Sequence, residues 1–74
     1  MFVVTVRTAR LDVFLVDAGN ADCIRGQLSR NEHLKFTAKG DLKGLFPSPR
    51  EIWVKFLNLH SVVMTEIEDE DQLN

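Results

Sequence analysis

Ser48-Pro49-Arg50-Glu51-Ile52-Trp53-Val54-Lys55-Phe56-Leu57 (residues 48–57) reads in two ways, and the choice sets the fold class. Ser48 as N-cap, Pro49 in the first helical position and Glu51 in the third make a helix start. The residues that follow are β-branched and aromatic and alternate without a break. Ile52, Val54 and Phe56 fall on one face, with Trp53, Lys55 and Leu57 on the other. The strand reading is preferred, and the helix starting near Ser48 is kept as the alternative.

Working outward, period-two alternation recurs. Phe2, Val4 and Val6 share a face, as do Leu11, Val13 and Leu15, opposed by Asp12, Phe14 and Val16. The latter run is apolar on both sides near its end, as in a central strand or one that meets a partner. Asp17–Asp22 (DAGNAD) reads as a turn through Gly19 and Asn20. Cys23–Leu28 reads as a third strand, with Gly26 as a bend of the kind barrel corners need. Ser29–Glu32 is a polar connection. Leu34, Phe36 and Ala38 then face inward, with His33, Lys35, Thr37 and Lys39 outward. Gly40–Arg50 is broken by two glycines and two prolines, with Leu42 and Leu45 offered to the core. Asn58–Ser61 is a tight turn, and Val62–Ile67 is the last strand.

Five or six short strands in 74 residues fit an all-β fold, a small SH3-like or Sm-like barrel. The runner-up is an α+β fold with one helix starting near Ser48. Residues 1–67 read as a single domain, and 68–74 as an acidic tail expected to be disordered. The stretch IRGQLSRNEHLKF, with the later HSVVMTEIED, loosely resembles the Sm-like barrels, Gly26 and Leu28 matching a bend and a core position. Glu32 stands without the family's Asp and Asn, and Val54 is followed by Lys55-Phe56 in place of Arg-Gly. The resemblance thus implies a barrel shape without the residues that would hold an RNA base.

Charge is unevenly spread. Residues 1–65 hold all nine Lys and Arg with six acids, a balance of +3, whereas residues 66–74 hold five acids and no base, −5. The acidic end reads first as a solubilising terminus, and second as a brake on a basic surface. Composition is that of a soluble globular domain, 45% hydrophobic and 27% charged. The single Cys23 cannot form an internal disulfide, and beside Ile24 and Leu28 it reads as a buried thiol. A reducing, cytoplasmic compartment is expected; no targeting segment or membrane span is visible.

Catalytic signatures are missing. His33 and His60 have no Cys or acid at metal-ligand spacing. Asp12 and Asp17 fall on opposite strand faces, and no phosphate loop or nucleophile elbow occurs. No enzyme, metal or cofactor is expected. The better lead is apolar residues on the outward face: Trp53, Leu57, Val62 and Met64 form one candidate patch, extended by Phe14 and Val16. Patches with Trp and Met are typical of protein interfaces. The leading expectation is a non-catalytic interaction module, an adaptor, subunit or regulator, whose partner is a protein or a second copy of the chain. The alternative is an Sm-like RNA binder contacting phosphates through Arg25, Lys35 and Lys39.

Overall fold

The computed structural model describes residues 1–41 and 48–67. In chain order these form β1 (Phe2–Arg7), β2 (Leu11–Val16), α1 (Ala18–Ser29), β3 (Leu34–Ala38), β4 (Gly40–Asp41), β5 (Arg50–Val54), a 3-10 turn (Phe56–Asn58) and β6 (Ser61–Glu66). The strands make two open antiparallel sheets: one of four strands in the order β4-β2-β1-β6, and one pairing β3 with β5. The fold is therefore α+β, and the expected closed all-β barrel is not formed.

The correction comes from residues 17–32. Asp17 is extended (φ −82°, ψ 175°), and its carboxylate accepts the Asn20 backbone N–H at 2.9 Å, so it caps a helix. Ala21 and Ile24 are buried and Leu28 packs against the same core, a spacing of three and four residues. Reading Ile24, Gly26 and Leu28 at period two misses Ala21, which declares the helical period. The far end is closed by a left-handed Asn31 (φ 55°), with the Glu32 N–H donating to the Gln27 carbonyl at 2.9 Å and Asn31 N–H to Leu28 at 3.2 Å. This is the Schellman arrangement, with asparagine in the place glycine usually holds. Gly26 sits inside the helix and makes no barrel corner. Cys23 falls on the exposed side of α1, against the buried thiol expected.

The strand reading of residues 50–54 is realised as β5, so the helix near Ser48 does not form either. The core lies between the inner face of the four-stranded sheet (Phe2, Val4, Val6, Val16), the helix (Ala21, Ile24) and β3 (Leu34, Phe36, Ala38). Ile24 and Leu34 are fully buried, and each contributes roughly 1.5–3 kcal/mol.

Side-chain amides from α1 occupy the edge of β3 that β5 leaves open. Gln27 donates from Nε2 to the Lys35 carbonyl at 2.9 Å and accepts the Lys35 N–H at 2.8 Å, and Asn20 Oδ1 accepts the Thr37 N–H at 2.8 Å. The helix thus stands in for a missing strand and covers an edge that would otherwise pair with another chain. The expectations for Leu42 and Leu45, and for an acidic tail at 68–74, lie outside the described residues. Among those described, no helix is long and apolar enough to cross a membrane.

Candidate functional site

Because α1 takes the backbone groups of Lys35 and Thr37, alternation directs those of Leu34, Phe36 and Ala38 toward β5. Their partners Val54, Ile52 and Arg50 turn back toward β3. The N–H and C=O groups of Glu51 and Trp53 therefore point to the opposite side, where among the described residues β5 has no neighbouring strand.

That free edge borders a groove of about 790 Å³ at the seam of the two sheets. Apolar side chains lining it include Val6, Phe14, Ile52 and Val54. Phe14 is held by an edge-on contact with Phe36, ring centres 5.7 Å apart. Charged residues of both signs also line it, Arg10 among them, tied to Asp12 at 2.8 Å. The combination suits an extended ligand with apolar and polar positions in alternation.

Trp53 also lines the groove, and it is 61% exposed. It stands directly across from Lys35, the Lys55 ammonium lies 6.0 Å from its ring centre, and the His33 ring meets it edge-on at 6.3 Å. His33 is itself fixed by the Phe56 N–H, which donates to Nδ1 at 2.8 Å. This bond ties the start of β3 to the turn after β5. Leu57, at the tip of that turn, is 90% exposed.

The residues singled out from the sequence are thus redistributed. Trp53 and Leu57 remain outward. Val62 and Met64 do not join them: they stand opposite Val6 and Val4 on the inner face of the sheet and pack against the core. Phe14 and Val16 also face inward. The faces of β6 are reversed from the expectation, because Val63 is the exposed residue. The basic residues do not form a stripe. Arg25 lies on α1, paired with Asp22 at 2.8 Å and lying over the Phe2 ring, and Lys39 is 3.7 Å from Asp17. Only Lys35 shares a surface with Trp53.

Sequence reading missed the free edge of β5 and the role of His33. Parity had already put Lys35 and Trp53 on outward faces; the pairing of their strands was the absent information. Asp17 is held below the usual carboxylate range, chiefly by the Asn20 backbone N–H, then by the Asn20 side chain and Lys39. The Arg30–Glu32 pair at 3.1 Å lowers Glu32 and raises Arg30. Among the described residues no three His, Cys, Asp or Glu gather as a metal site would need. No protein-family model, curated protein or solved structure matches this chain.

Proposed function

We propose that this protein is a non-catalytic peptide-binding module that takes an extended segment of a partner protein along the free edge of β5. The peptide adds a strand to the β3–β5 sheet, its backbone bonding the outward-facing groups of Glu51 and Trp53. Alternate side chains enter the groove over Val6, Phe14 and Ile52, while an apolar residue beside them packs on Trp53. Lys55 lies over the indole and Lys35 is the cross-strand partner of Trp53, so the preferred segment carries Asp or Glu next to its apolar anchor. The observation that carries this reading is that the β5 edge at Glu51 and Trp53, which meets no further strand among the described residues, borders a groove of mixed apolar and charged lining beside an exposed tryptophan. A tryptophan so placed is the usual energetic anchor of an interface.

A second reading rests on the same indole. Trp53 between Lys35 and Lys55 matches the stacking aromatic and flanking cations of single-strand nucleic-acid sites. Peptides selected from a random displayed library separate the two. Trp53 is the sole tryptophan, so its fluorescence reports binding directly. Selected peptides should quench or blue-shift it in the wild type and, by titration calorimetry, lose at least about tenfold in affinity with Trp53→Ala, a loss of ~1.4 kcal/mol. Binding of oligouridylate with a steep salt dependence, and of no peptide, would replace the first reading with the second.

A further inference from the structure

The four-stranded sheet ends at β6, which among the described residues pairs with β1 alone. The Ile67 N–H donates to the Met1 carbonyl at 3.0 Å. Alternation from that bond turns the backbone groups of Thr65, Val63 and Ser61 toward β1, and leaves those of Val62, Met64 and Glu66 on the outer edge. Natural sheet edges are usually blunted by Lys, Pro, a bulge or a covering element. Here β6 has no proline and no lysine, and its one charged residue, Glu66, stands at its last position. The edge of β3 is covered by helix side chains, which makes the bare edge of β6 a distinct feature of the same molecule.

We infer that β6 pairs antiparallel with β6 of a second copy of this chain, about a two-fold axis at Val63. In that register Val63 meets its own counterpart, Val62 meets Met64, and Ser61 meets Thr65. Beyond them the exposed side chain of His60 lies opposite that of Glu66, while the His60 N–H keeps its bond to the Arg7 carbonyl at 2.8 Å. The outward backbone groups of Val62 and Met64 exchange hydrogen bonds. Their side chains, half-buried at the end of the sheet, extend the core face across the axis. A shift of two residues would set Glu66 against the apolar Val62. Antiparallel pairing also sends the two acid-rich C-terminal sequences out at opposite ends, where a parallel pair would bring them together. This inference is independent of the peptide groove on β5.

An edge pair of this length is a small interface, so association should be concentration-dependent, with monomer prevailing near ~1 μM and dimer toward ~1 mM. Sedimentation velocity of the full chain across that range tests it. Val63 is 57% exposed, so Val63→Lys and Val63→Glu leave the core untouched while placing like charges face to face across the axis. Each variant alone should sediment as monomer, their equimolar mixture should recover the dimer, and Trp53→Ala should dimerise as wild type. A wild type that stays monomeric throughout, a Val63→Lys chain that still dimerises, or a mixture that does not recover association would each overturn the inference. Loss of the dimer in Trp53→Ala would overturn it too.

Discussion

At the scale of single residues, Asp17 and Trp53 do opposite things for the molecule. Asp17 holds the fold: its carboxylate accepts the Asn20 N–H and starts the helix. Replacing it by alanine should cost about 1 kcal/mol, measured by urea unfolding at neutral pH. The pH dependence follows from the direction of its perturbation. Its folded pKa lies below the ordinary value of 3.8, so on acidification the unfolded chain takes up the proton first. The stabilisation is therefore complete above that value and is lost as pH falls through the folded pKa. Asp17→Asn keeps a capping oxygen, and its stability should show a shallower acid limb than wild type. Trp53, by contrast, contributes little to folding. Trp53→Ala should change stability by no more than about 0.5 kcal/mol, in keeping with its exposure.

At the scale of elements, α1 determines what the sheets can do. Gln27 satisfies both backbone groups of Lys35, so Gln27→Ala should cost about 1–2 kcal/mol. Amide exchange at Lys35 should quicken more than at residues on the β5 side. If protection at Lys35 were unchanged, the helix would not be covering that edge. The strands were largely legible in the sequence, because Phe2–Val6 and Leu34–Ala38 alternate over long enough runs to declare their inner face. The helix was hidden for a physical reason. Its apolar stripe is only Ala21, Ile24 and Leu28, and a glycine interrupts it. The evidence for it sits at its ends, in Asp17 and Asn31, which resemble turn residues when read apart from each other. The patch expected around Trp53 was half legible. Parity placed Trp53 and Leu57 outward, but β6 gave no sign of which apolar face is inward, since Val62, Val63 and Met64 are all hydrophobic.

At the scale of the whole molecule, the described residues close one small core, and among them the outer edges of β5 and β6 meet no further strand. Domains of this size rarely exceed ~3–5 kcal/mol of stability from the core alone. Leu34→Ala removes about 2–5 kcal/mol, so that variant should be only marginally folded by circular dichroism at 25 °C and melt far below the wild type. Open edges are a hazard in a small protein unless they serve binding, and here each has a chemistry of its own. The edge of β5 adjoins a groove and a tryptophan with Lys55 over its ring, whereas β6 carries one charge, Glu66 at its end, and is complementary to itself. The proposed docking of a peptide on β5 is open to direct observation. It is tested most directly by mapping backbone amide shifts in the full chain as a selected peptide is titrated in. The Glu51 and Trp53 amides should move most, with Val6 and Phe14 following and Lys35, on the sealed edge, nearly still. Shifts confined to α1 around Arg25, or to β6, would contradict it.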